Sequence, residues 1–247
     1  MTAQGDIDVI SRLPRWIEYG AFLLALMAGT INAVGLLGFQ HQSISHLSGT
    51  VTLLGSDILH LSPETLSTTL HLAGVVVSFM LGAMVSGFMM PHVSLKLGRH
   101  YDALLIIEGL LLLGAIFLLE QGSLSGHYLA SAACGLQNAM VTRYSGAVIR
   151  TTHMTGIVTD LGIMLGAALR NKPIDRRKLI LLSLLLLGFT AGGIMGTWLY
   201  QNYQFMTLSV PAVICFILAL YYRLYRIRFA RRIALKRQKG STSGENK

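Results

Sequence analysis

The sequence predicts an all-α integral membrane protein with about six transmembrane helices plus two re-entrant or broken polar segments, arranged as a two-fold inverted repeat. Three observations carry this. Of 247 residues, 53% are hydrophobic and 13% are charged, against about a quarter charged in an average soluble domain. The hydrophobic residues fall into blocks of membrane-spanning length. One polar phrase is written twice, as SHLSGTVTLLG at 45–55 and THMTGIVTDLG at 152–162, with six of eleven positions identical.

The blocks are 17–39, 68–90, 103–119, 126–148, 179–200 and 206–222. A helix needs ~17–25 residues to cross a bilayer core. Backbone groups in lipid must be satisfied within the chain, and these runs lack the alternation of a barrel strand, so they read as helices. The N-terminal MTAQGDIDVISRLPRW carries charges of both signs and lacks the short apolar core and small-residue cleavage site of a signal peptide.

Charge places the connections. Lys and Arg favour the cytoplasmic side. They occur before the first block (Arg12, Arg15), between the second and third (Lys96, Arg99), after the core of the fourth (Arg143, Arg150), before the fifth (Arg170, Lys172, Arg176, Arg177, Lys178) and throughout the tail. Connections near 40–45, 59–67, 120–126 and 201–205 contain neither. With the N-terminus inside, six crossings account for every basic loop. The stretch at 45–58 must then begin and end outside, and that at 152–169 must begin and end inside. Eight crossings is the competing arrangement, but it puts Lys96 and Arg99 outside.

The net charge of +9 does not point to nucleic acid, because residues 223–247 alone hold nine Lys/Arg and one Glu. The tail reads as an inward-facing flank, with GSTSGENK at its end expected to be disordered. Residues 1–225 form a single membrane domain and 226–247 a basic cytoplasmic tail. Cys134 and Cys215 lie inside apolar blocks and read as packing residues.

The duplication extends beyond the polar phrase. AGTINAV at 28–34 matches CGLQNAM at 134–140. Small residues recur every four positions in the second block (Gly74, Ser78, Gly82, Ser86) and in the fifth (Gly188, Gly192, Gly196), a pattern that lets helices approach closely. Repeat one covers about 17–119 and repeat two about 126–222. Each holds three crossings and one polar motif, so the halves are oppositely oriented, a plan common in transporters.

AGTINAVG, SHLSGT, GLQNAMV and RTTHMTG followed by TDLG resemble the YoaK-like family of bacterial membrane proteins, a domain family of unknown function. The resemblance spans about residues 20–225. It implies a multi-pass protein of the bacterial inner membrane and no substrate.

Polar residues at membrane depth are costly and often mark function. His46 and His153 occupy equivalent points of the two halves and are expected to approach each other at the centre. They can relay protons, or simply hold a turn through carbonyl hydrogen bonds. On a helix Ser48, Thr52 and Gly55 share a face, as do Thr155, Thr159 and Gly162. Thr151 and Thr152 are candidate caps of a half-helix. Asn32, Gln137 and Asn138 are amides inside spans, suited to bridging helices or to contacting solute. Asp160 breaks the repeat, with Leu53 at the matching position. It is either buried or paired at the inner surface with Arg150 or Arg170. Glu108 is a candidate intramembrane carboxyl whose alternative is a pairing with an amide or His in the bundle, and Glu18 reads as interfacial. Two His without a neighbouring carboxylate do not make a metal site, and no cofactor or catalytic residue is expected.

The leading expectation is an inner-membrane transporter or channel for a small solute or ion, with both termini cytoplasmic and a central site built from the two His/Thr/Gly motifs. Its partners are then the lipid bilayer and the solute, with homo-oligomerisation open. The alternatives are a membrane-embedded enzyme using His with Asp160 or Glu108, for which no catalytic signature is present, and a non-transporting scaffold.

Overall fold

The computed structural model describes residues 16–38, 47–60, 62–90, 100–144 and 150–244. These form eight α-helices: α1 (Trp16–Gly38), α2 (Leu47–Leu59), α3 (Pro63–Met89), α4 (Tyr101–Glu120), α5 (Ser125–Tyr144), α6 (Met154–Leu169), α7 (Arg176–Tyr203) and α8 (Ser209–Gly244), with a 3-10 turn at Gln204–Leu208 between the last two.

Local chemistry sets several ends. Ser62 caps α3 in a reciprocal box with Thr65, with Pro63 in the first turn. Asp175 caps α7 by accepting from the Arg177 and Lys178 amides. Gln204, at φ 50°, stops α7. Helix α8 does not stop at the membrane flank. It runs through the basic tail to Gly244, because Leu, Ala, Arg and Lys favour helix and no Gly or Pro intervenes from Arg223 to Lys239. The expectation of a disordered end therefore fails for Gly240–Gly244.

Four stretches are long and apolar enough to cross a membrane: Glu18–Gly38, Thr65–Met89, Tyr101–Glu120 and Arg176–Arg228. The last comprises α7 and most of α8, divided by the 3-10 turn. Helix α5 falls outside this set, although it matches the length of the fourth expected span. His127, Ser131, Gln137 and Asn138 lower its hydropathy. Large apolar residues such as Met80, Met84, Phe88, Phe117, Ile194 and Trp198 are exposed around the bundle, as a lipid-facing surface requires. The protein is an all-α membrane protein.

The packing is an inverted repeat. Helices α1 and α7 lie side by side and parallel. Glu18 meets Arg177 at one end, Thr30 Oγ1 donates to the Gly192 carbonyl in the middle, and Gly38 meets Tyr200 at the other end. Helices α3 and α5 repeat the arrangement, from Gly74 beside Tyr128, through Ser131 Oγ donating to the Val75 carbonyl, to Arg143 donating to the Met90 carbonyl. The close approaches correspond. A Cβ on Gly29 would overlap the Phe189 carbonyl, and one on Gly135 the Phe79 carbonyl. Gly192 sits against Leu26, and Gly82 against Ala132. The small-residue ladders are therefore helix contacts. Helix α4 runs antiparallel to α8, with Tyr101 on Tyr222 and Asp102 paired with Arg226.

Both ends of the bundle have an apolar core. One joins Ala21, Met90, Leu104, Met140 and Leu181, and the other joins Val34, Ala115, Leu119, Ala130 and Leu208. Helix α6 links α5 and α7 at the first end, which carries Glu18–Arg177 and Asp102–Arg226. Helix α2 links α1 and α3 at the opposite end. Six long helices and two short segments, one at each end, match the expected plan of six long helices plus two short segments.

Candidate functional site

The polar atoms of the bundle interior converge on α5. Its residue Gln137 is fully buried and donates from Nε2 to Glu108 Oε1 on α4 across 2.9 Å. The same amide accepts, at its Oε1, a hydrogen bond from Thr151 Oγ1 at 3.2 Å. Glu108 and Thr151 are both 0% exposed. Glu108 stands seven residues into α4, about 10 Å along the helix. The Cys215 thiol of α8 lies against the carboxyl, and the Phe216 ring covers Gly109. Glu108 Oε2 has no hydrogen-bond partner among the described residues, nor has Asn138 Oδ1.

Thr151 reaches this site by a return of the chain into the bundle. Helix α5 ends with Arg143 bound to the Met90 carbonyl, six residues beyond Gln137 and so about 9 Å further along the axis. The chain comes back to Gln137 at Thr151, and α6 then leads to the start of α7. Such backbone is tolerated at membrane depth where protein buries it. A carboxyl so placed is neutral when protonated and can hold negative charge only beside a cation, because desolvating an unpaired ion costs several kcal/mol. Among the described residues no cluster of three His, Cys, Asp or Glu is placed to hold a metal.

The repeated motifs are placed differently from the expectation of a central meeting. His46 lies outside the described residues. Helix α2 packs on α3, and α6 on α7, without forming a common contact. Ser48, Thr52, Thr155 and Thr159 are exposed, with the two Thr hydroxyls donating to the Ser48 and Thr155 carbonyls of their own helices. Gly55 and Gly162 have open space beside them, so these faces make no close helix contact. His153 is exposed and its ring lies over Gly156. It is the N-cap of α6 by backbone alone, so neither Thr151 nor Thr152 caps that helix. Thr152 is buried, and Asn32 is half-buried on α1. The physical reason is length: thirteen- and sixteen-residue helices tethered at opposite ends of the bundle pack on their nearest long neighbour. Asp160 pairs with Lys178 at 3.2 Å, rather than with Arg150 or Arg170.

A second polar cluster escaped the sequence reading. His127 Nδ1 lies 2.9 Å from His71 Nε2, and His71 Nδ1 lies 3.0 Å from Tyr128 Oη. The two imidazoles border a cavity of about 400 Å³ at the α2 end, lined also by Ser67, Thr68, Ser123 and Phe205 among others. The available signal was positional: His71 and His127 both sit in the first turns of spans expected to start outside.

No curated protein and no solved structure matches this sequence. The model of a family described as "Protein of unknown function (DUF1275)" matches residues 20–221, from early α1 to the middle of α8, and the chain belongs to that family.

Proposed function

We propose that this chain is a YoaK-like transporter or channel of the bacterial inner membrane, carrying a small solute or ion, with Glu108, Gln137 and Thr151 as its central site. The observation that supports this is Glu108 itself, a fully buried carboxyl beside the Cys215 thiol, with one oxygen held by Gln137 and the other without a hydrogen-bond partner among the described residues. Intramembrane carboxyls commonly mark ion and proton pathways. The re-entrant segment that delivers Thr151 is the kind of element from which transporter sites are built. In this reading Asn138, whose Oδ1 has no partner among the described residues, extends the polar surface toward the solute, and half-buried Asn32 belongs to the same polar set on α1. The second His/Thr/Gly motif serves by anchoring α6, not by meeting its counterpart. The role is transport without a chemical reaction. The Lys/Arg distribution supports a cytoplasmic side for both termini, and the exposed apolar faces suit lipid as a partner.

The test is flux in proteoliposomes loaded with a pH-sensitive dye, under imposed proton, sodium and potassium gradients. Wild-type vesicles should pass protons or one of these cations above empty vesicles. Glu108→Gln should lower that flux at least tenfold, and Glu108→Asp should retain part of it. Wild-type flux no greater than that of empty vesicles, or full flux in folded Glu108→Gln protein, overturns the reading.

A further inference from the structure

Helix α8 outruns the bundle that it belongs to. Its counterpart in the repeat, α4, stops at Glu120, and Gly122 turns the chain at φ 72°. Helix α8 keeps one face against the bundle, with Ala219 and Tyr222 buried, Tyr222 on the Tyr101 ring and Arg226 paired with Asp102. Tyr101 and Asp102 are the first residues of α4, so the bundle ends at this level. Helix α8 nevertheless continues from Arg226 to Gly244, about 27 Å further. Packing within the repeat does not require that extension. No Asp or Glu occurs from Arg176 to Gly244, whereas Arg228, Arg231, Arg232, Lys236, Arg237 and Lys239 all fall in the extension.

The opposite face of α8, at the same level, is mixed in character. Leu220, Leu224 and Ile227 are exposed there, and so are Arg223 and Arg228. At 3.6 residues per turn the three apolar residues fall within about 60° of one another, with Arg223 on one edge of the strip and Arg228 on the other. The two arginines are about 7.5 Å apart along the axis, a separation that two long side chains close on one phosphate. Tyr221 and Tyr225 are exposed on the Arg228 side, and such rings favour the headgroup level of a bilayer.

Charge and apolar surface together select the partner. At this end Glu18 pairs with Arg177, Asp160 with Lys178 and Asp102 with Arg226, and Asp175 caps α7. The described acids here are engaged, so the charge of Arg223 and Arg228 calls for an anion from outside the chain. A second copy of α8 brings charge of the same sign. A nucleic acid matches the arginines but offers a polar backbone to Leu220, Leu224 and Ile227. An acidic phospholipid satisfies both: its acyl chain lies on the apolar strip, and its phosphodiester accepts charge-assisted hydrogen bonds from the guanidiniums. We propose that α8 binds an acidic phospholipid of the leaflet at this end of the bundle, with Arg223 and Arg228 holding the headgroup and Leu220, Leu224 and Ile227 holding the chain. The basic extension beyond adds attraction to the anionic membrane surface.

The test uses the full chain in dodecyl maltoside micelles that hold equal amounts of phosphatidylglycerol and phosphatidylcholine with the same acyl chains. Lipid retained by the protein after free micelles are removed is quantified by mass spectrometry. Phosphatidylglycerol should be retained roughly tenfold over phosphatidylcholine. Folded protein carrying both Arg223→Gln and Arg228→Gln should keep a preference of about threefold or less. Lys172→Gln, which removes an exposed charge at the same end, should leave the preference unchanged, and Leu224→Asn should lower retention of both lipids several-fold. Equal retention of the two lipids by wild type, an unchanged preference in the double variant, or an equal loss in Lys172→Gln overturns the proposal. So does full retention in Leu224→Asn, or displacement of phosphatidylglycerol by a short DNA duplex or by millimolar inorganic phosphate. Retention is read without flux, so its outcome is independent of the Glu108 reading.

Discussion

Gln137 and Glu108 are 29 residues apart in sequence and 2.9 Å apart in space, joined by one hydrogen bond between two fully buried side chains. The amide also receives the Thr151 hydroxyl, so a single side chain ties α4, α5 and the re-entrant segment together. Removing it leaves a carboxyl oxygen and a hydroxyl without partners. We expect Gln137→Leu to destabilise the protein by about 1–3 kcal/mol, the cost of stranding buried polar groups. Glu108→Gln keeps an acceptor for the Gln137 amide and should cost less than about 1 kcal/mol, within the range of interhelical hydrogen bonds in membranes. Thermal unfolding of both variants in one detergent gives the comparison. Equal losses would mean that the bond is not holding the helices.

The matched crossings make a second prediction. At Gly82 and Gly192 a methyl group would overlap the Ala132 and Leu26 carbonyls, which are backbone atoms and cannot rotate away. Gly82→Ala and Gly192→Ala should each force two helices apart, with a loss of about 1–3 kcal/mol as in other overpacked interiors. Gly55 and Gly162, helical with open space around them, are the controls. Alanine there should be neutral or stabilising by about 0.5–1 kcal/mol, the helix-propensity difference. Similar losses at all four positions would contradict the repeat contacts.

Asp160 and Lys178 pair at 3.2 Å, but the aspartate side chain is 44% exposed. An ion pair so open to solvent contributes about 0–1 kcal/mol. We expect Asp160→Asn to leave the unfolding temperature nearly unchanged and to leave flux through the Glu108 site within about twofold of wild type. A large loss of flux with intact stability would move Asp160 from the surface of α6 into the pathway.

Much of this architecture was legible in the sequence, for physical reasons. Apolar block length and the small-residue ladders each report a single element or a repeated contact; the ladders held, and block length held for the long helices other than α5. The Glu18 side chain was readable as interfacial, and its partner is Arg177. Partners across helices were harder. Glu108 was readable as a buried carboxyl with an amide as one candidate partner, yet nothing local chooses Gln137 over Asn138 one residue later. That choice is made by the azimuth of α5 against α4. The described parts of the two repeated phrases lie at opposite ends of the bundle, because a duplicated motif in oppositely oriented halves is carried to opposite ends. The repeat is also chemically broken. Gln137 has Ile31 as its counterpart, and both are fully buried, so the polar site belongs to one half only.

The direction of the bundle in the membrane gives the last prediction. Leu59 and Leu124 are exposed at the end that carries the His71–His127 cavity, whereas Lys172 is exposed at the end that carries Glu18–Arg177 and Asp102–Arg226. The two native cysteines are buried, so an introduced thiol dominates labelling. With the basic flanks inside, Leu59→Cys and Leu124→Cys should react with an impermeant maleimide added to intact cells, and Lys172→Cys only after the membrane is opened. That outcome places the cavity toward the outside and the entry to α6 toward the cytoplasm, so that a solute would meet the imidazole pair before Glu108 on its way in. The reverse pattern would invert the charge rule for this chain and turn the same path into one that meets Glu108 first. Labelling of Leu59→Cys and Leu124→Cys from opposite sides would exclude six crossings altogether, because both residues sit at the same end of the bundle.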